Sequence, residues 1–417
     1  MAYRGRVTGE PELRRRLGLG DAVLVGLGSM IGTGVFAVLA PAAAAGGSGL
    51  LIGLAIAAII AFCNATSSAR LAARYPVSGG TYVYGRERLG ELWGYLAGWC
   101  FVVGKTASCA AMALTVGMYV WPDQARLVAV GAVAAVTAVN YRGIEKSALT
   151  TRLIVAVVLV VLAAVATVAF TSPWDIPQSL AIGDDATVYG VLQSAGLLFF
   201  AFAGYARIAT LGEEVSDPAR TIRRAIPLAL GIALLVYVVI AFATLGVLGP
   251  RDLASAAAPL VDTVRAAGAP GLAPVVQVGA AVAAVGSLLA LLLGVSRTTL
   301  AMARDGHLPR WLAAVHPTHR VPHHAEFVVG ALVSVVAAAV DVRAVIGFSS
   351  FGVLLYYAIA NASAATLSRA EGRPSRVLTT VGLVGCVVLA VTLPVGSVIA
   401  GSVVVAVGAT VYLVRRR

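Results

Sequence analysis

Residues 28–34 read GSMIGTG, and they lie within residues 22–69, a stretch that carries no charged side chain. A bilayer core needs about 20 consecutive apolar residues per helix, so this stretch is long enough for two spans and a turn. Residues 377–414 are free of charge as well. Apolar runs of this length predict membrane-spanning helices and not a β-barrel, whose strands are short and alternate in polarity.

The composition of the whole chain agrees with a membrane protein. Of its 417 residues, 59% are hydrophobic and only 12% are charged, whereas soluble domains have about 25% charged residues. A net charge of +12 would favour a nucleic-acid partner in a soluble protein. In a membrane protein such an excess follows from topology. We therefore predict contact with the lipid bilayer and none with nucleic acid.

The hydropathy pattern predicts an all-α membrane protein with twelve transmembrane helices. The predicted spans are residues 22–44, 50–72, 90–121, 126–141, 150–171, 187–212, 222–248, 272–300, 325–341, 345–367, 377–393 and 396–414. With this assignment, 25 lysines and arginines lie on the side of the two termini and 4 on the other side. Because basic residues concentrate in cytoplasmic loops, we expect a cytoplasmic N-terminal arm at 1–21 and a cytoplasmic tail at 415–417.

The glycines of residues 28–34 predict an interruption of the first helix. Each glycine weakens a helix interior by about 1 kcal/mol relative to alanine. Unwound backbone inside a membrane must face protein or a watery cavity. The N-terminus of the half-helix that follows attracts an anion such as a carboxylate. The alternative is a packing face, because Gly28 and Gly32 fit the GxxxG pattern of close helix contacts.

A second candidate interruption lies five spans later, where residues 199–206 read FFAFAGYA. Gly204 supplies flexibility there, and neighbouring aromatic rings could form the walls of a ligand site. These rings belong to Phe199, Phe200, Phe202 and Tyr205. Aromatic core packing is the alternative. Transporters built from inverted repeats have broken helices at matching positions of the two halves, so the pair predicts a transporter binding site.

Several motifs, in the same order, resemble those of the amino acid–polyamine–organocation permeases. They are GSMIGTGVF at 28–36, YPVSGGTYVYGRERLG at 75–90, GW at 98–99, FFAFAGYARIATLGEEVSDPARTIRRAI at 199–226, SRTTLAMARDGHLP at 296–309 and HPTHRVPHHA at 316–325. The resemblance covers nearly the whole chain. It implies a five-plus-five inverted repeat, with helices one and six broken, followed by two C-terminal helices. The implied boundaries are 22–171, 187–367 and 377–414.

The same resemblance implies how an amino acid substrate binds. Its α-carboxylate would meet backbone amides near the first interruption, and its α-amino group would meet carbonyl groups of spans one and six. The implied substrate-binding residues are Ile31, Gly32, Thr33, Gly34, Phe200, Ala201, Phe202, Ala203 and Gly204.

One departure from the family pattern concerns the driving force. Many proton-coupled relatives carry a lysine in span five, where this chain has Val158. A lysine occurs in span three instead, at Lys105, and an intramembrane cation is by default a functional residue. We predict that Lys105 is the coupling group or fills part of the substrate pocket. The alternative is a lysine that extends along a cavity or toward the interface.

These features together predict a secondary transporter of the bacterial inner membrane that moves amino acids by alternating access, through proton coupling or exchange. No acidic residue lies mid-span in helices one, three, six, eight or ten, which favours neutral substrates. A cationic amino acid or polyamine antiporter is the alternative, followed by a channel. The sequence contains no P-loop and no convergent catalytic set. We therefore expect no enzyme activity, cofactor or metal.

Overall fold

The computed structural model describes residues 17–75, 79–143, 148–173, 182–209 and 215–415. The predicted N-terminal arm lies outside these ranges, apart from its last residues. Within them the chain forms 17 α-helices. They are α1 (Leu19–Met30), α2 (Thr33–Ala37), α3 (Leu39–Gly46), α4 (Leu50–Arg74), α5 (Thr81–Leu89), α6 (Glu91–Val120), α7 (Ala125–Tyr141), α8 (Ala148–Thr171), α9 (Val188–Phe202), α10 (Ala206–Ala209), α11 (Pro218–Ser255), α12 (Pro259–Ala266), α13 (Ala273–Arg304), α14 (His323–Ala339), α15 (Val342–Ala365), α16 (Arg376–Thr392) and α17 (Val395–Arg415).

The described helices have the length and polarity of a membrane bundle. Ten helical stretches in the described ranges are long and apolar enough to cross a membrane, and two shorter apolar helices, α14 and α16, have 17 residues each. Large apolar side chains such as Leu127, Val160 and Phe327 are exposed on the outside, as expected for a surface that faces lipid. The prediction of an all-α membrane protein is confirmed.

The first span is interrupted over a shorter stretch than the glycine run predicted. Helix α1 continues through Met30, residues 31–32 form a non-helical link, and α2 starts at Thr33. A bend at Val38 separates α2 from α3. The bend is explained by Pro41, which has no N–H to donate to the carbonyl group of Ala37.

The sixth span is interrupted closer to its C-terminal end than predicted. Helix α9 continues through Phe202, and one 3₁₀ turn, Ala203–Tyr205, leads into α10. The predicted interruption at 199–206 is therefore wrong for its first four residues, which stay α-helical. The turn tightens at Gly204, where the chain passes close to the first span.

Candidate substrate site between two helix interruptions

The two interruptions are in direct contact. A Cβ atom added to Gly34 would lie 2.7 Å from Cα and Cβ of Ala201 in α9, and a Cβ atom added to Gly204 would overlap the carbonyl oxygen of Ser29. Only glycine lets the two backbones approach this closely. The two sequence motifs thus lie side by side in the structure, with their backbones in contact.

The glycines of residues 28–34 contact three different helices. Gly28 remains inside α1 and packs against Thr151 and Val155 of α8. A Cβ atom on Gly32 would overlap the side chain of Ser287 in α13. The hydroxyl of that serine donates a hydrogen bond to the carbonyl oxygen of Gly28 at 3.1 Å. Of the two interpretations of the motif, close packing within a continuous helix applies to Gly28, and the interruption lies at Gly32.

Tyr237 of α11 connects both interruptions. Its hydroxyl lies 2.6 Å from the carbonyl oxygen of Met30 and 3.0 Å from that of Ala201. Both carbonyls lie next to an interruption, where helical hydrogen bonding is incomplete. The Tyr237 side chain is buried, and its ring packs edge-on against Phe202. Nothing in the sequence pattern distinguishes this tyrosine from an ordinary core residue.

A cavity of about 670 Å³ lies beside the two interruptions and extends to Arg320 and Pro322, which precede α14. Five of the nine predicted binding residues line it: Gly34, Phe200, Ala201, Ala203 and Gly204. The remaining four are not among its lining residues: Ile31, Gly32, Thr33 and Phe202. The lining also includes residues that the motifs did not indicate, among them Ser29, Met30, Phe101, Ser108 and Met112.

The predicted aromatic walls are mostly core residues. Phe200 lines the cavity, but Phe199 and Tyr205 pack against Tyr357 of α15, with ring centroids 5.7 Å and 5.0 Å apart. Phe202 packs against Tyr237. Core packing, the alternative interpretation, therefore holds for three of the four rings.

Lys105 of α6 lies on the wall of the cavity and is only 5% exposed. Its ammonium group donates a hydrogen bond to the carbonyl oxygen of Ala203 at 3.2 Å, and the Tyr357 hydroxyl lies 3.4 Å from the same oxygen. The side chain thus points to the second interruption and does not extend to the interface. In α8, Val158 is buried and apolar. The position at which many proton-coupled relatives carry a lysine therefore holds no cation in this chain.

The charged side chains that line the cavity in the described part of the chain are all basic: Lys105, Arg207, Arg297 and Arg320. For Arg207, the sequence leaves two interpretations, a place in the inward vestibule or an ion pair with Glu213 or Glu214. Arg207 lines the cavity, and the two glutamates lie outside the described ranges. No carboxylate lines the cavity among the described residues. The cavity wall therefore offers no described countercharge to a cationic ligand.

Hydrogen bonds join helix ends and loops beyond the first interruption. The hydroxyl of Tyr119 donates a hydrogen bond to the carbonyl oxygen of Phe36 at 2.9 Å, and their rings pack edge-on. Asp185 accepts hydrogen bonds from the hydroxyl of Ser48 at 2.6 Å and from its backbone N–H at 2.9 Å. These two bonds, the hydroxyl bond foremost, lower the pKa of the Asp185 carboxyl.

The bundle and its central cavity define a membrane transporter. The model of the amino acid permease family matches residues 17–414, and the chain therefore belongs to this family, which consists of transporters and not enzymes. It is 71% identical to an uncharacterized transporter of Mycobacterium tuberculosis, over 97% of this chain and 92% of the relative.

Two relatives with more specific names are less similar. A branched-chain amino acid permease of Bacillus subtilis is 27% identical over 87% of this chain and 83% of its own. A methylthioribose transporter of the same species is 27% identical over 83% and 80%, respectively. The chain is therefore a multi-pass membrane protein with bacterial relatives.

Proposed function

We propose that this protein is a secondary transporter that moves amino acids across the bacterial inner membrane by alternating access. The observation that supports this proposal most directly is the cavity of about 670 Å³ beside two contacting helix interruptions. Transporters with discontinuous helices bind their substrates at such interruptions. The substrate named for the Bacillus subtilis branched-chain permease belongs to the same chemical class.

The proposed architecture is a five-plus-five inverted repeat, residues 22–171 and 187–367, followed by two additional helices. Interruptions in the first and the sixth spans support this arrangement, because repeats of this kind place them at matching positions. The distribution of basic residues supports cytoplasmic termini. In that orientation the cavity, which extends to Arg320, faces the cytoplasm.

We propose that the substrate carboxylate binds at the start of α2, where backbone amides have no helical partners. Gly34 lines the cavity there, and the adjacent Thr33 hydroxyl is buried without a hydrogen-bond partner among the described residues. The amino group would bind carbonyl groups of span one and of residues 200–203. Ile31, Gly32, Phe202 and Gly204 would shape this backbone without contacting the ligand through side chains.

Lys105 provides the argument for a neutral substrate. Its ammonium group already binds the carbonyl oxygen of Ala203, which leaves the carbonyls of span one and of residues 200–202 for the amino group of the substrate and none beside Lys105 for a second positive charge. A cationic side chain would meet this like charge in a site of low dielectric constant. Of the two predicted roles of Lys105, the contact with Ala203 favours the pocket role over the coupling role.

Counterflow in proteoliposomes tests this proposal. Proteoliposomes loaded with unlabelled L-leucine should accumulate radiolabelled L-leucine from the outside. Each of the twenty amino acids is then added outside as a competitor. We expect competition by neutral amino acids and little by arginine or polyamines. Competition by arginine or polyamines alone would overturn the neutral assignment, and ion conductance in planar bilayers would show a channel instead.

A further inference from the structure

Glu326 is a buried carboxyl group outside the cavity. It lies in the first turn of α14, an otherwise apolar helix of 17 residues, and its exposed fraction is 0%. Neither of its oxygens accepts a hydrogen bond of good geometry from the described residues, although the side-chain amide of Asn140 lies near enough to stabilise the carboxylate. Acidic residues inside membrane proteins are costly and by default functional. The dipole of α14 favours an acid at this position, but it does not require the side chain to be buried.

The groups around Glu326 come from three neighbouring helices. Asn140 of α7 and Arg297 of α13 lie close enough to stabilise its charged form, and Cys109 of α6 is within electrostatic range of it. In the 3₁₀ turn Arg310–Ala313, which also packs against α14, Arg310 is exposed to solvent. Arg297 is thus the described arginine that acts on this carboxyl group, and His323 lies one turn before it on α14.

Glu326 lies directly behind the cavity wall. Arg297 lines the cavity, and so does Pro322, whose carbonyl oxygen accepts a hydrogen bond from the backbone N–H of Glu326 at 2.8 Å. Cys109 lies on α6, one helical turn after Lys105, and Lys105 is also a lining residue of the cavity. Glu326 is thus adjacent to residues of the cavity wall, and a proton from the cavity would pass these residues to reach it.

We propose that Glu326 is the proton-binding group that couples transport to a proton gradient, a role that rests on the transport function proposed above. Full burial disfavours a carboxylate that no hydrogen bond of good geometry or close ion pair stabilises, so the carboxyl group holds its proton in the state described here. Approach of Arg297 stabilises the ionised form, and the proton then passes to water on the cavity side. No co-reactant other than the proton itself is needed.

The link to the substrate site runs through α13. This helix carries both Arg297, which faces Glu326, and Ser287, which binds the carbonyl oxygen of Gly28 beside the first interruption. A shift of α13 that accompanies substrate binding therefore changes the distance between Arg297 and Glu326. Protonation and the conformation of the substrate site then depend on one another, as coupling requires.

A transport experiment tests this role with Glu326→Gln, which keeps the shape of the side chain but cannot release a proton. A gradient of one pH unit can raise the accumulation of radiolabelled L-leucine in wild-type proteoliposomes up to about tenfold. We expect Glu326→Gln to lose this gradient-driven accumulation and to retain counterflow at equal pH. Gradient-driven accumulation that persists in the variant would overturn the proposal. Glu91→Gln, at an exposed carboxyl, is the matched control.

A second measurement is independent of transport and of the folding of any variant. Dicyclohexylcarbodiimide adds to protonated carboxyl groups in apolar surroundings, and peptide mass spectrometry locates the adduct in the purified wild-type protein. We expect an adduct on Glu326 that decreases as the pH rises, and none on Glu91. An unmodified Glu326 at every pH from about 5 to 8 would overturn the proton site. Absent counterflow with an adduct present would instead refute the proposed transport function alone.

Discussion

The hydroxyl of Tyr237 lies 2.6 Å from the carbonyl oxygen of Met30, the last residue of α1. The same hydroxyl lies 3.0 Å from the carbonyl oxygen of Ala201. A phenol has one proton to donate, so the two carbonyls share it. The relative positions of the two interrupted spans thus depend on a group from a third helix, α11.

Replacing Tyr237 with phenylalanine should weaken substrate binding. The change keeps the ring and removes the hydroxyl, which leaves buried carbonyl oxygens unsatisfied at a cost of about 1–3 kcal/mol. We expect the apparent affinity in counterflow to fall by about tenfold or more. Tyr189→Phe, at a tyrosine that is 51% exposed, is the control. Equal affinities of the two variants would show that the shared hydrogen bond does not position the interruptions.

Replacing Gly32 with alanine should abolish transport, because the new methyl group would overlap the side chain of Ser287. The double variant Gly32→Ala, Ser287→Gly removes the obstructing side chain, and we expect it to recover part of the activity. Gly231→Ala is the matched control, since a Cβ atom there meets nothing within 4 Å. Uptake by the single variant at the wild-type rate would mean that the close approach of α13 is dispensable.

The approximate positions of the long helices follow from the sequence, because a lipid environment requires long apolar stretches, whereas the short helices α5 and α12 were not predicted. The predicted span 90–121, for example, corresponds to the helix Glu91–Val120. The location of the interruption within residues 28–34 could not be predicted to the residue. Gly28, Gly32 and Gly34 are alike in sequence, and their roles differ only because each meets a different helix.

Two further residues show why the site could be predicted only in part. Tyr237 is an aromatic residue in an apolar helix, a pattern typical of core packing, and its partner carbonyls are brought near only by the assembled bundle. Glu326 has a weak signal, an acid at the start of an apolar span. Its burial and its neighbours from three helices become visible only in the fold.

Lys105→Met should change substrate recognition without removing proton coupling. The variant loses the donor to the Ala203 carbonyl oxygen, and we expect an affinity loss of about tenfold together with better competition by cationic amino acids. Gradient-driven accumulation should persist, in contrast to Glu326→Gln. Arg126→Gln, at an exposed arginine, controls for the loss of a positive charge.

The neutral variant Lys105→Gln separates the two predicted roles of this lysine. Uptake is measured across a range of pH values, with the wild type in parallel. A changed affinity with an unchanged pH profile supports the pocket role. A pH dependence that disappears in Lys105→Gln would assign the coupling role to Lys105 after all, and an unchanged rate and profile would exclude both roles.

Because of Glu371, the free energy of unfolding should decrease as the pH falls into the acidic range. Its carboxylate accepts a hydrogen bond from the backbone N–H of Ser368 at 2.9 Å and pairs with Arg88 at 2.7 Å and Arg74 at 3.1 Å. These contacts, the backbone bond first, lower the pKa of Glu371 from its usual 4.5 to about 2. Because the pKa is lowered by folding, the stabilisation is fully present above about pH 4.5 and is lost as the pH falls toward about 2.

Thermal unfolding of the purified protein at a series of pH values measures this contribution. At neutral pH, Glu371→Gln should be less stable by about 1 kcal/mol, the upper range for partly exposed ion pairs. The difference from the wild type should shrink as the pH is lowered below about 4.5, because the wild-type carboxylate then becomes protonated. Glu87→Gln, which removes a looser 3.8 Å contact with Arg86, should have a smaller effect. Parallel curves for wild type and Glu371→Gln down to the lowest pH would show that these ion pairs do not stabilise the loop.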